Sequence, residues 1–304
     1  MPGIVVHTLL ATRVLDWWAD DPDAPFPPAD PEPRAAFLAG CMAPDAGMYP
    51  GGEPLVSDLA HYVRTGELAR ALVAEARTAP ERAYAWGWFS HVLADVLIHP
   101  LVNAGAGEAA GAGRPLTYAE NPRLHAAVEV GIDGSFFARW RDLGLVLPAA
   151  DPALADFLGR AYRAVYGPAV GVGALRATLA AWGRWKGVAV ALSGSASGEL
   201  YGRPAARGWS FALTYRLCRA ASGVFARGGV VHGFTHPIAP SAGVAARVER
   251  AVEGYAERFR EGYRDGLRSL PDYNLDTGEV EEPAAAYPLT ARTVARLGRA
   301  VAAR

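Results

Sequence analysis

The sequence predicts an all-α fold. Apolar residues recur at helical spacing over most of its 304 residues, and the strict alternation that marks half-buried strands is rare. The breaks between the periodic segments are short and rich in glycine, serine and proline. Because no long polar linker divides the chain, we expect one large helical domain over residues 1–304.

Proline and glycine set the expected ends of the helices in the first half. The first helix is expected at residues 5–19, and the proline-rich residues 20–34 form a loop because proline clashes inside a helix. Four more helices are expected, at residues 34–41, 55–77, 81–99 and 122–143. Pro80 and Pro100 suit the two ends of the helix at 81–99, and the Gly/Ala-rich residues 104–113 are typical of a flexible connection.

The second half continues with helical periodicity and lacks strand alternation. Five helices are expected, at residues 152–166, 172–192, 210–226, 242–269 and 289–304. Residues 150–304 are therefore expected to form a helical extension of the first half.

Charge and cysteine content exclude several classes of protein. The 30 basic and 31 acidic residues leave a net charge of −1, so no overall field attracts a nucleic-acid duplex or an anionic membrane. Cys41 and Cys218 are too few for a disulfide framework. With no secretory signal at its start and no apolar run of about 18 residues, the chain is expected to be cytoplasmic and to lack a transmembrane segment.

Polar residues recur every four positions in the otherwise apolar segment from Trp86 to Pro100. His91, Asp95 and His99 therefore lie on one face of the expected helix. Burying such groups without partners costs several kcal/mol, so they either bond within the core or bind a cation. Three groups in register favour a divalent metal ion over a core histidine satisfied by a carboxylate.

Other histidines and carboxylates extend this pattern. His125 and Glu129 are again four residues apart on an apolar helix and can bind one ion together. His61 lies in an expected helix, and Asp45 follows a proline in an expected turn. Taken singly, Asp45 better fits a turn or capping role, and His7 a surface position.

Together these residues resemble the ligand set of the zinc-dependent phospholipase C family. The ligand order is also similar to that of the zinc-dependent single-strand nucleases, which share the fold. The resemblance lies in the segments 40–45, 57–62 and 86–103 and covers about the first 135 residues. It implies an all-helical fold with three metal ions, usually zinc, at the bottom of a cleft. The matching positions, in chain order, are His7, Asp45, His61, His91, Asp95, His99, His125 and Glu129.

The resemblance also divides these ligands among the ions. The group implied for one zinc is Asp45, His61, His91 and Asp95. The group implied for a second is His99, His125 and Glu129. His7 and a bridging Asp95 would hold a third ion, and Asp45 and Asp95 are the expected catalytic residues. The metal-binding part is thus expected at residues 1–140, with the helical extension at 150–304 completing the cleft.

The number and chemistry of the ligands agree with two or three zinc ions. Five imidazoles and three carboxylates make eight ligands, whereas a catalytic zinc takes about three protein ligands plus water. Manganese or iron would accept the same ligands. Neighbouring ions activate water and hold both oxygens of an in-line displacement at phosphorus. The expected reaction is therefore hydrolysis of a small phosphodiester or phosphoester, and the Glu129 ligand favours the phospholipases because the nucleases use aspartate there.

Two departures from the family pattern bear on these expectations. Secreted members bind one metal through the free amine and carbonyl of an N-terminal tryptophan, whereas this sequence begins with Met1 and Pro2. Toxin-type members carry a membrane-binding β-sandwich, whereas residues 150–304 are expected to be helical, which disfavours attack on a membrane. Tyr49 and Tyr62 flank proposed ligands and are the expected substrate contacts.

Two alternative functions would use the same residues. An enzyme of small-molecule biosynthesis would use zinc as a Lewis acid on a carbonyl or amide. A protein-interaction module would use it structurally, although structural zinc is normally closed by four ligands. The expected partner of an enzyme is a small-molecule substrate, and the sequence defines no oligomeric state.

Overall fold

The structure, a computed structural model, describes residues 3–143, 147–202, 213, 215–217, 219–220 and 230–280. Helices dominate this part of the chain, so the predicted all-α fold is confirmed. The α-helices described are α1 (Ile4–Trp18), α2 (Pro31–Gly40), α3 (Pro54–Tyr62), α4 (Thr65–Glu75), α5 (Ala79–Ala110), α6 (Pro122–Asp142), α7 (Leu154–Tyr166), α8 (Val172–Tyr201), α9 (Val230–Thr235) and α10 (Ala242–Arg264). Short 3-10 helices lie at Pro44–Met48 and Gly167–Ala169. Two antiparallel strands of two residues each, β1 (Tyr273–Asn274) and β2 (Glu279–Val280), follow α10.

The predicted end of the central helix at residue 99 is wrong. α5 continues through Pro100 to Ala110, so most of the expected flexible connection is helical. Its glycines serve close packing: a Cβ at Gly105 would lie 2.8 Å from Cγ1 of Val128, and one at Gly107 would lie 1.9 Å from the carbonyl oxygen of Arg114. A glycine-rich segment is therefore compatible with a helix where neighbouring chain approaches it closely.

Other helix boundaries also differ from the predicted ones. The helix expected at 55–77 is divided into α3 and α4 because Arg64 has a φ of 53°, in the left-handed region. α2 begins at Pro31, since proline is well suited to the first turn of a helix. The helix expected at 289–304 and most of the helix expected at 210–226 lie outside the described residues.

The chain divides into two compact units, each assembled from separate stretches. The first unit comprises the described parts of Met1–Leu9, Leu97–Val146 and Lys186–Gly254. The second comprises the described parts of Leu10–Val96, Leu147–Trp185 and Tyr255–Arg304. The single domain expected for residues 1–304 stays a prediction. No helix within the described ranges is both long and apolar enough to cross a membrane.

In the second unit, aromatic side chains surround the buried Trp18. The indole meets Phe26, Phe37 and Phe259 edge-on, with ring centroids 5.3, 5.5 and 5.4 Å away. Phe89 of α5 joins this cluster with its ring centroid 5.0 Å from that of Phe259. Edge-to-face packing of this kind adds to the stabilisation from burial, so the cluster holds α1, α2, α5 and α10 together within the unit.

Two glycines let α2 and α5 cross at very short range in the same unit. A Cβ at Gly40 would lie 2.3 Å from the carbonyl oxygen of Tyr84, and one at Gly87 would lie 2.1 Å from that of Phe37. Only glycine allows the two backbones to approach this closely. The crossing places Cys41, the residue after α2, beside the turn of α5 that carries His91.

In the first unit, α6 is enclosed by small and apolar residues. Ala126 and Val130 pack against Ala196 of α8 and Phe234 of α9. The chain after α9 also lies against α6, where the amide of Ile238 donates a 2.9 Å hydrogen bond to the carbonyl of Ala127. This packing buries α6 on several sides and therefore holds its polar residues in place.

Candidate metal centre

Four polar side chains of the second unit converge in its interior. Asp45 lies in the 3-10 helix after α2, His61 in the last turn of α3, and His91 and Asp95 on successive turns of α5. None is more than 3 % exposed. Local sequence therefore places two of them on one helix face, and packing brings the other two to that face.

The donor atoms of this group lie at the separations expected between neighbouring ligands of an ion. Nε2 of His61 lies 3.1 Å from Oδ1 of Asp45, 3.4 Å from Nε2 of His91 and 3.5 Å from Oδ2 of Asp95. The last two atoms are 3.0 Å apart. Ligands of tetrahedral zinc, at bond lengths of about 2.0–2.1 Å, lie about 3.3 Å from one another. The four distances are close to this value, and the donor atoms of Asp45, His61 and His91 all lie within 4.8 Å of one another, as the ligands of a single small cation would.

The imidazoles of this group are oriented by backbone carbonyls. Nδ1 of His61 lies 2.7 Å from the carbonyl oxygen of Ser57, and Nδ1 of His91 lies 2.9 Å from that of Cys41. A carbonyl only accepts, so each Nδ1 carries the hydrogen and each Nε2 keeps a lone pair. Such bonds are the usual way in which a protein fixes the tautomer of a metal-binding histidine.

The charges of this group favour a cation. Burial alone would raise the pKa of Asp45, but the imidazoles of His91 and His61 lower it well below its usual range. Burial alone would lower the pKa of His91, whereas Asp95 and Asp45 raise it above its usual value. Oδ2 of Asp45 is buried without a hydrogen bond. Ionised carboxylates with unused lone pairs in a buried site fit a metal ion.

A second group lies in the first unit and consists of His99, His125 and Glu129. All three are buried, and their donor atoms lie within 4.8 Å of one another. Nε2 of His99 is 3.3 Å from Oε1 of Glu129, and Nε2 of His125 is 3.9 Å from Oε2. Oε2 has no hydrogen-bond donor. Burial alone would raise the pKa of Glu129, but nearby positive charges and the hydrogen bond with His99 lower it.

Asp45 and His7, which taken singly fit a turn or capping role and a surface position, are both buried. Asp45 is 2 % exposed and His7 is 4 % exposed, so the surface position considered for His7 is wrong. His7 lies in the first unit, on the first turns of α1, where its amide bonds the carbonyl of Gly3. Its assignment to a third ion stays a prediction.

The expected substrate contacts, Tyr49 and Tyr62, are also buried, at 5 % and 6 % exposure. The ring of Tyr49 packs against Trp182 with centroids 5.7 Å apart, and that of Tyr62 lies 6.0 Å from the ring of His61. Both rings therefore take part in packing, and their contact with substrate stays a prediction.

Asn103 and Asp133 each follow a member of the second group by four residues, although neither is among the expected site residues. Asn103 follows His99 by four residues on α5, and its Oδ1 lies 2.9 Å from Nδ1 of His125. Asp133 follows Glu129 by four residues on α6 and is fully buried. The four-residue spacing could have revealed both, because it continues from His99 to Asn103 on α5 and from Glu129 to Asp133 on α6.

Asn103→Leu is expected to weaken zinc binding by His125 by about 10- to 100-fold, the usual effect of losing a partner that orients a ligand. Leucine cannot accept the Nδ1 hydrogen of His125, so the ring loses its fixed tautomer. Asn103→Asp keeps an acceptor oxygen and should retain affinity within a few-fold. Zinc competition titrations of folded variants measure this, and an unchanged affinity in Asn103→Leu would contradict the role of Asn103.

Comparison with known families agrees with this geometry. The family described as zinc dependent phospholipase C matches residues 6–166, more than half of the chain and the stretch that contains both groups. No curated protein and no solved structure is significantly similar to the chain. Because the match covers more than half of the chain and includes every candidate ligand, the chain belongs to the zinc-dependent phospholipase C family.

Proposed function

We propose that this protein is a multizinc hydrolase that cleaves a small phosphodiester or phosphoester. The observation that carries the proposal is the convergence of Asp45, His61, His91 and Asp95. The four pairs of donor atoms described above are 3.0 to 3.5 Å apart. Family membership supports zinc dependence and hydrolysis. The class of substrate is our inference from the chemistry of paired metal ions at phosphorus.

The donor set fits zinc without a thiolate. Cys41 does not compete for the ion, because burial raises the pKa of its thiol and its Sγ donates to the carbonyl of Leu38. One ion would be held by Asp45, His61, His91 and Asp95. A second would be held by His99, His125 and Glu129. The third ion, implied for His7 by the family resemblance, makes the expected number two to three.

Zinc bound to a few protein ligands lowers the pKa of a coordinated water to near neutrality and polarises a phosphoryl oxygen. The protein groups have distinct parts in this chemistry. Asp45 and Asp95 supply the negative charge that offsets the charge of the ion in a buried site. The carbonyls of Ser57 and Cys41 keep the Nε2 atoms of His61 and His91 directed inward. Tyr49 and Tyr62 remain the proposed contacts to the substrate.

Chelation and reconstitution test the proposal. Protein purified without an affinity tag should contain two to three equivalents of zinc, and hydrolysis of bis-p-nitrophenyl phosphate should be lost on chelation and recovered with zinc. Phosphatidylcholine, assayed in parallel, tests whether a lipid is accepted. No more than about one equivalent of any transition metal would contradict the multizinc site. Full zinc content without hydrolysis of any phosphoester would contradict the reaction.

A further inference from the structure

Asp133 occupies a buried position with three hydrogen-bond donors around it. Its Oδ2 accepts from the amide of Val5 at 3.1 Å and from Oγ of Ser193 at 2.8 Å. Its Oδ1 accepts from the amide of Val6 at 3.1 Å. All four residues belong to the first unit, so the carboxylate joins α6 and α8 to the first turn of α1.

The first turn of a helix is well matched to a carboxylate. Its amides have no partners within the helix, and the helix dipole is positive at this end. Burial raises the pKa of Asp133 to about 7 and outweighs the three donated hydrogen bonds, each of which favours the anion. Asp133 thus accepts hydrogen bonds from two amides of the first turn of α1.

Gly3 connects this arrangement to Glu129. The amide of Gly3 donates to Oε1 of Glu129 at 3.1 Å. A Cβ at Gly3 would lie 2.9 Å from Oδ1 of Asp133, so the backbone of Gly3 is held between the two carboxylates. With Oε1 engaged by the Gly3 amide, Oε2 is the oxygen of Glu129 that has no hydrogen bond.

We propose that Asp133 is a positioning residue for the metal group His99, His125 and Glu129. It holds the first turn of α1, which places the Gly3 amide on Oε1 of Glu129 and leaves Oε2 for the ion. Asp133 itself contacts neither the ion nor the substrate. The inference rests on the proposed function, because it requires that Glu129 bind a metal.

The test compares variants of the full chain by zinc affinity and by the visible spectrum after cobalt substitution. Asp133→Asn replaces one acceptor oxygen by an NH₂ group that faces donors, so it should weaken zinc at this group by about 10- to 100-fold and shift its cobalt band. Ser193→Ala removes a single donor and should give a smaller shift in the same direction. Ser197→Ala is the matched control, since its hydroxyl is buried on the same helix one turn away and has no hydrogen bond.

The outcomes separate this inference from the proposed function. The cobalt band that disappears in His125→Ala identifies the ion at this group. If that band and the zinc affinity are unchanged in Asp133→Asn and Ser193→Ala, Asp133 has only a structural role, even where the melting temperature falls. If Asp133→Asn does not fold, Ser193→Ala decides. If His125→Ala removes no band from the parent spectrum, the metal assignment and this inference both fail.

Discussion

Asp95→Asn is expected to lower phosphodiester hydrolysis by about three orders of magnitude while the helical fold survives. Asparagine keeps the size of aspartate but removes its charge. In the structure Oδ2 of Asp95 lies 3.0 Å from Nε2 of His91 and 3.5 Å from Nε2 of His61. An amide nitrogen at this place would present hydrogens to the site in place of a lone pair. The ion should therefore be lost or loosely held.

The family resemblance implies that Asp95 joins two ions. Its substitution should therefore lower hydrolysis more than the loss of a residue that binds one ion. Removing its charge would then leave two cations close together without the carboxylate that offsets their repulsion. The more weakly held ion should leave first, and the pKa of the nucleophilic water should rise.

Zinc content, circular dichroism and turnover of the same preparation measure this effect. Asp156→Asn is the control, because it makes the same chemical change at an exposed position of α7. Full metal content together with near-normal turnover in Asp95→Asn would show that the proposed role of Asp95 in metal binding and catalysis is wrong.

His91→Ala is expected to have the second largest effect and to be more damaging than His125→Ala. His91 is fully buried on α5, where it bonds the carbonyl of Cys41 and lies beside Asp45 and Asp95. Its removal leaves a cavity and takes one imidazole partner from two buried carboxylates. Together these changes should lower the free energy of unfolding of the metal-free protein by about 2–5 kcal/mol.

His125→Ala removes one ligand of the other group and should release one ion with most of the fold retained. Its Nδ1 partner, Asn103, is a side chain that can turn to another partner, whereas the Cys41 carbonyl is fixed by the crossing of α2 and α5. Metal stoichiometry and thermal melts of both variants provide the measurement. His236→Ala, a histidine outside both groups, is the control. Equal and full zinc content in His91→Ala and His125→Ala would rule out the division into two groups.

Local spacing in the sequence was sufficient to predict the parts of the site that lie on single helices. His91, Asp95 and His99 are four residues apart, and helical geometry alone places them on one face of α5. The same holds for His125 and Glu129 on α6. The all-helical class followed from the same periodicity. The boundaries were less accurate, because Pro100, Gly105 and Gly107 lie inside α5 where close packing compensates for their poor helix propensity.

The family resemblance, and not spacing, brought Asp45, His61 and His7 into the predicted set. Read singly, Asp45 fits a turn and His7 a surface position, since neither shares a helix with another candidate ligand. Their burial depends on chain segments distant in sequence, which periodicity does not report.

The sequence by itself thus determined the helical class, the register of the candidate ligands on α5 and α6, and the family. Only the tertiary structure decided how α2 reaches α5 through Gly40 and Gly87, which brings the Cys41 carbonyl to His91. It also decided that Asn103 serves His125, and that Asp133 holds the first turn of α1. The physical reason is that side chains four residues apart meet by helix geometry, whereas partners far apart in sequence meet only where packing brings their backbones together.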